Sequence, residues 1–384
     1  MTVNGAQAQP VPQDQQHVLI VGAGPVGLFT ALKLVRANIP STVIERGAST
    51  SRAPRACGYF GGTLLAMNEV GTFGKVLAKG YIARNLSWTG LPVDDGKGGK
   101  RAGDIVAVQP TASPDDDLTT PHAGTLVLPQ SDLTALLLEE ALQTGKVEVL
   151  FNLDLQAIED DGDTVTAVLK NTQNNTVQRV TGSFLLGADG GSSRTRKLLD
   201  IHLVGHTWPE RVVTTDVEKL CSKTSVENPI QYTFAPEHYT VIVALTKPVP
   251  GQQALFRYAM AHAANDPLSD EELLSDSHIH DLYEEVMEGA RPLQYEIHRR
   301  SIYHVHQRCA TTMRRGRCLL AGDAAHLNNV REARTQASGT AQSSNHNSPL
   351  TSQANRRHGP ELRPPRRRRR SRDPDHDHQR GPSS

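Results

Sequence analysis

The six residues Gly22-Ala23-Gly24-Pro25-Val26-Gly27 constrain this chain more than any other stretch. They follow Val18-Leu19-Ile20-Val21, an unbroken apolar run of the kind found in strands buried on both faces. Beyond them, residues 25–37 carry Val26, Phe29, Leu32 and Val35 at spacing three, which predicts a helix with one apolar stripe. Thr42-Val43-Ile44-Glu45 then reads as a second strand, so strand, helix and strand fit one βαβ unit. In that setting each glycine has a task. Gly22 permits the tight turn, Gly24 lets backbone approach a pyrophosphate, and Gly27 lets helix and strand pack closely. The phosphates would meet free N–H groups at the helix N-terminus. Glu45 ends the second strand, where a carboxylate can accept hydrogen bonds from an adenosine ribose. The pattern implies an adenine dinucleotide and does not separate FAD from NAD.

Two later segments have related character. Gly187-Ala188-Asp189-Gly190-Gly191-Ser192-Ser193-Arg194 follows the apolar strand Phe184-Leu185-Leu186, and by itself it reads as a helix start with an Asp or Ser cap. Ala321-Gly322-Asp323-Ala324-Ala325-His326 follows a second apolar strand, 317–321. Gly-Asp after a strand is a common turn. Here glycine would also allow close approach to a flat cofactor, and the carboxylate could bind polyol hydroxyls.

Between these segments, residues 90–123 are rich in Gly, Asp, Pro and Thr and read as a surface loop. Residues 130–142 read as a strong helix with Ser131 as N-cap. Strands are expected at 147–151, 164–169 and 183–186, followed by alternating strand pattern over 212–256 and an acidic helix over 270–288. His304, His306 and Arg308 alternate on one strand face, a better account of those histidines than a metal site with Cys309. No metal is expected.

The three motifs, in this order and spacing, resemble the FAD-dependent aromatic hydroxylases, the single-component flavin monooxygenases that include p-hydroxybenzoate hydroxylase and phenol hydroxylase. Further similar stretches are Ser51-Arg52-Ala53-Pro54-Arg55-Ala56, Leu128-Pro129-Gln130-Ser131-Asp132-Leu133, Thr207-Trp208-Pro209-Glu210-Arg211 and Gly316-Arg317-Cys318-Leu319-Leu320-Ala321. The resemblance spans roughly residues 17–329. It implies an α/β fold: a Rossmann-type, glutathione-reductase-like FAD-binding domain with an inserted mixed β-sheet substrate domain. The FAD-binding domain would occupy 17–204, with a loop insertion at about 85–123, and would be rejoined by 301–329; the substrate sheet would occupy 205–300. By the same resemblance Gly22, Gly24, Gly27, Glu45 and Arg46 would hold the ADP half of FAD. Arg55 and Gln130 would lie along its ribityl and pyrophosphate part. Asp189, Gly190 and Arg194 would serve both FAD and NADPH, and Gly322 and Asp323 the ribityl chain. By the same resemblance NADPH or NADH would be a transient reductant, and this sequence likewise shows no second Gly-x-Gly-x-x-Gly. The implied reaction passes oxygen from O2, through a flavin hydroperoxide, to an aromatic or polyketide-like small molecule in secondary metabolism or aromatic catabolism. No catalytic side chain is assigned. Tyr59, Tyr232, His238 and Tyr258 could ionise a phenol, though each is more readily a packing residue. A flavin oxidase or reductase without oxygen insertion remains a second reading.

Composition separates the tail from the body. The whole chain balances 41 basic against 41 acidic residues, yet 331–384 holds twelve arginines, no lysine and five acidic residues. It has two leucines and none of the larger apolar or aromatic types, so disorder is expected over 330–384, as over 1–16. The family pattern, a proline and glycine-rich turn after Gly-Asp-Ala-Ala-His, stops at Asn329. A frame error or retained intron would explain both changes, leaving a catalytically impaired remnant with a basic binding tail as a further alternative. The run 366–370 would attract nucleic acid only non-specifically. Four unpaired cysteines, no signal-like N-terminus and an uncharged run, 18–32, short of the ~20 residues of a membrane span lead to the expectation of a cytoplasmic protein without a membrane partner.

Overall fold

The computed structural model describes residues 16–53, 55–234 and 239–328; the expected disordered tail, most of the N-terminal segment and His238 lie outside them. The strand Val18–Val21 sits near the middle of a six-stranded sheet. Its order is Val147–Leu150, Ser41–Ile44, Val18–Val21, Phe184–Gly187, Cys318–Leu320 and Arg314–Arg315. The first five strands are parallel, with Val18 opposite both Ser41 and Phe184. Leu19 and Ile20 are wholly excluded from solvent, which accounts for the unbroken apolar run. Helices Pro25–Arg36 and Gln130–Gln143 cover one face, packing Leu28, Phe29 and Leu32 into one core with Leu133, Leu136 and Leu137. Each such side chain contributes about 1.5–3 kcal/mol of burial. A small antiparallel sheet of Leu153–Asp160, Val165–Asn171 and Val177–Gly182 supplies Leu155 and Leu169 to a core with Leu19 and Val21 on the other face.

A second sheet has eight strands, in the order His326–Leu327, Tyr295–Ala310, Leu203–Leu220, Gln253–His262, Tyr239–Ala244, Ile230–Phe234, Asn85–Thr89 and Ile105–Pro110. It is mixed, because Ile230–Phe234 runs parallel to Asn85–Thr89 while the other pairings are antiparallel. The helix Asp276–Val286 closes one face with Ile279, Leu282, Tyr283 and Val286.

Several local expectations change. Residues 90–123 are no plain loop: Val93–Asp94, Gly99–Arg101 and Ile105–Pro110 are strands, and the last extends the large sheet. The acidic segment 270–288 is two helices, Asp270–Leu273 and Asp276–Val286. Ser269 and Ser275 accept hydrogen bonds from the N–H groups of Glu272 and His278, so each serine starts its own helix. Ser131 does not cap its helix; Pro129 holds the cap position, and Ser131 lies inside the first turn. Among the described residues no helix is long and apolar enough to cross a membrane, and no cluster of ligands could hold a metal.

Candidate functional site

The first motif is shaped by what a Cβ would meet. Gly22 has φ +107°, and a side chain there would strike the Ala188 carbonyl. A Cβ on Gly27 would overlap the Gly22 carbonyl oxygen. Gly24 differs: nothing lies within 4 Å of its Cβ position, so the turn opens onto free space there. Pro25 begins the helix, and no side chain caps it. The first-turn N–H groups therefore face that space without intrahelical acceptors.

Glu45 closes the turn from beside it. Its Oε2 accepts from the Ala23 N–H at 2.9 Å and its Oε1 from the Gly47 N–H at 2.8 Å. Each oxygen keeps a further lone pair for a ribose hydroxyl. Arg46 is exposed next to it.

The second and third motifs meet the first directly. Asp189 accepts from the Ser193 hydroxyl and from both the N–H and the hydroxyl of Thr195, while Ser193 caps Arg194–Leu198. Asp189 thus organises a turn as well as standing beside Gly22. Gly190 has open space at its Cβ position, and Arg194 is exposed. Arg196, which the sequence did not single out, is buried and donates to the carbonyls of Ala324 (2.9 Å) and Gly191 (2.8 Å), tying two motifs together. Gly322 has φ +58°, and a Cβ there would lie 2.8 Å from Val26. Asp323 presents surface to solvent but is ringed by protein. That enclosure raises its carboxyl above the ordinary range, against the opposing charges of Arg55, His326 and His306.

Gln130 and Arg55 are joined through Ala56, whose carbonyl accepts the Gln130 N–H at 2.9 Å. The segment around Arg55 is held onto the large sheet. The buried Arg257 makes a fork with Asp216, Nε to Oδ1 at 2.7 Å and Nη2 to Oδ2 at 3.0 Å, and its Nη1 donates to the Arg55 carbonyl. Burial works against the Arg257 charge and the Asp216 carboxylate more than offsets it, so the guanidinium is held charged. Arg299 donates to the Arg52 carbonyl at 2.8 Å.

The sequence candidates for a base separate. Tyr258 is fully buried on the helix-covered side, against Tyr283. Tyr59 is buried, its hydroxyl has no partner among the described residues, and burial pushes it far up. Tyr232 is half-buried, stacks on Trp88 at 5.8 Å and is raised by burial. Sequence reading missed Tyr303, whose hydroxyl is pushed up to about 12 by burial, with Tyr239 adding to the shift and Thr214 and Arg257 opposing it. It also missed Cys57, whose thiol burial pushes up beside Arg257. Strand register could have found Tyr303; composition could not.

An open turn at Gly24, unsatisfied helix N–H groups, a carboxylate at ribose position and a second carboxylate beyond it suit a dinucleotide with a polyol linker, which is the donor and acceptor order of FAD.

Residues 15–336 match the family model described as FAD binding domain. The chain is 29% identical over 313 residues to para-nitrophenol 4-monooxygenase of Pseudomonas sp. (strain WBC-3), covering 81% of this chain and 72% of that one. It is 29% identical over 321 residues to 6-hydroxy-3-succinoylpyridine 3-monooxygenase HspB of Pseudomonas putida, covering 82% and 74%. The crystal structure of p-nitrophenol 4-monooxygenase PnpA from Pseudomonas putida DLL-E4 superposes with a TM-score of 0.72 at 26% identity, over 85% of this chain and 77% of that one.

Proposed function

The chain belongs to the FAD-binding-domain family, and from that premise we propose that it is a flavin-dependent monooxygenase that hydroxylates an aromatic small molecule with a reduced nicotinamide and O2. The observation that carries the reading is the convergence of three distant motifs: Gly22 against Ala188, Gly322 against Val26, and Arg196 on Ala324 and Gly191. FAD, when bound, supplies two-electron chemistry with the nicotinamide and the activation of O2. The protein supplies position. Gly24 leaves room for the pyrophosphate, and the helix first turn offers it N–H donors. Glu45 receives the ribose hydroxyls, with Arg46 beside it. Arg55 and Gln130 line the path toward Asp323, whose carboxylate takes the ribityl hydroxyls. Gly190, with open space at its Cβ position, and the exposed Arg194 are left for FAD and the nicotinamide. The large sheet serves as the substrate-bearing part, now including Asn85–Thr89 and Ile105–Pro110. A cytoplasmic setting, consistent with four free cysteines, completes the proposal.

Oxygen-18 labelling tests the reaction. Label from O2 in a hydroxylated product, with reductant consumption raised by the substrate, is the expected result. Label from water, or a product without new oxygen, would return the chain to the oxidase or reductase reading.

A further inference from the structure

We infer that Lys219 is a covalent capture site for a small aldehyde, seated in a small cavity on the helix-covered face of the large sheet. Residues two apart on a strand share a face. Lys219, Val217 and Thr215 therefore point the same way, with Phe256 opposite Val217 and Tyr258 opposite Thr215. Thr215 and Tyr258 both meet Tyr283 of the helix Asp276–Val286. Asp216 and Arg257, paired with each other, mark the other face. The thickness of the sheet thus separates Lys219 from the 51–57 segment.

Lys219 is buried, with 4% of its surface exposed. An ammonium carries three donors, and among the described residues its one acceptor is the adjacent Leu220 carbonyl, at a long 3.5 Å. Its Nζ also lies 4.6 Å from the centre of the Phe256 ring. Glu288 lines the same cavity, where its Oε1 accepts from the hydroxyls of Ser222 and Ser225 and not from Lys219. The other polar groups of the lining are engaged elsewhere. The Thr89 and Thr233 hydroxyls bond each other at 3.0 Å, and the Gln231 amide donates to the Asn228 carbonyl at 2.9 Å. The cavity measures about 20 Å3, and the half-buried Pro92 and Ala102 form part of its wall. One water needs about 10–15 Å3, so there is room for roughly two heavy atoms.

Charge and size decide the occupant. The Glu288 carboxylate repels an anion and the Lys219 ammonium repels a second cation, which leaves a neutral molecule. An amine taken out of water becomes a nucleophile, because burial disfavours its charged form. Here burial lowers Lys219 below the ordinary lysine range, with the Glu288 charge opposing it. In the capture step the ammonium passes one proton to Glu288, and the nitrogen lone pair attacks the carbonyl carbon. The carbonyl oxygen takes a second proton from the nitrogen and the first one back from Glu288, and it leaves as water. The product is a protonated imine with the same single positive charge as the ammonium. It keeps the attraction of the Phe256 face and of Glu288. Formaldehyde suits the volume, and an aromatic aldehyde does not.

The test treats the full chain at neutral pH with limiting formaldehyde and cyanoborohydride, which reduces the imine to a stable methylamine, and maps the label by peptide mass spectrometry. Lys219 should be methylated at least tenfold faster than the exposed Lys97 and Lys197. Benzaldehyde should label those two and leave Lys219 bare. Ala102→Leu, which fills the cavity from its wall, should slow methylation of Lys219 at least tenfold, and the milder Ala102→Val several-fold, with Lys197 unchanged. Methylation of Lys219 no faster than that of Lys97, labelling of Lys219 by benzaldehyde, or indifference to both Ala102 variants would overturn the inference.

Discussion

The glycine turn and the face of the large sheet beside residues 51–57 are made differently. The turn is backbone: its shape follows from φ at Gly22 and from contacts to the Ala188 and Gly22 carbonyls. The sheet face is side-chain work: Asp216 and Arg257 pair across two neighbouring strands, and Arg257 and Arg299 donate onward to the carbonyls of Arg55 and Arg52. A backbone site can be written in six consecutive residues. A sheet site is written only in register, across residues dozens of positions apart.

The largest test of that contrast is Asp216→Ala. It leaves Arg257 buried without its partner, and breaking such a pair costs about 3–5 kcal/mol. Urea unfolding should show a loss of that order. A loss below about 1 kcal/mol would mean that the sheet does not depend on the pair.

Gly24→Val comes next and should act on the ligand alone. Nothing lies near its Cβ position, so the apoprotein should melt within about 0.5 kcal/mol of the parent, in the range of a surface change. FAD affinity should fall a hundredfold or more, roughly 2.7 kcal/mol. Retained yellow colour after gel filtration would remove Gly24 from the pyrophosphate path.

Ser193→Ala probes the join between the motifs. Losing a helix cap costs about 1 kcal/mol, and Asp189 would lose one of its donors. Thermal unfolding should register this, with a smaller change in FAD affinity than Gly24→Val produces.

The smallest effect is expected at Asp323. Its carboxyl is raised in the folded chain, so folding holds that proton more tightly, and stability declines as pH rises through the folded value. Asp323→Asn should remove that decline. The apoprotein at pH 7 should gain no more than about 0.5 kcal/mol, since the group is solvent-accessible and screened. The gain should vanish below the ordinary carboxyl range, and FAD binding should weaken. A destabilised apoprotein at neutral pH would contradict the assignment of enclosure as the cause.

What could be read from sequence follows the same division. The strand, turn and helix around Gly22–Gly27 were legible because the glycines, Pro25 and the apolar stripe all specify local geometry. Glu45 was legible by spacing, but not its bonds to Ala23 and Gly47, which depend on how two strand ends meet. Arg196 was missed because its partners are carbonyls, and carbonyls carry no sequence signal. Tyr303 was missed because its significance comes from neighbours such as Arg257, two strands away. Residues 90–123 were misread because their strands are short and solvent-facing, so Gly and Asp obscured the alternation.

The parallel sheet also orders events during synthesis. The strand Cys318–Leu320 lies against Phe184–Gly187, and the Gly322-Asp323 turn follows it at once. The glycine turn emerges from the ribosome first, but the pocket it serves lacks a wall until some three hundred residues later. In the interval Leu185 and Leu186 present an unpaired strand edge, the kind of surface on which nascent chains aggregate. A chaperone that shields the nascent chain should matter most for this protein between completion of residue 187 and arrival of residue 320, a window that ribosome-arrest experiments can bracket.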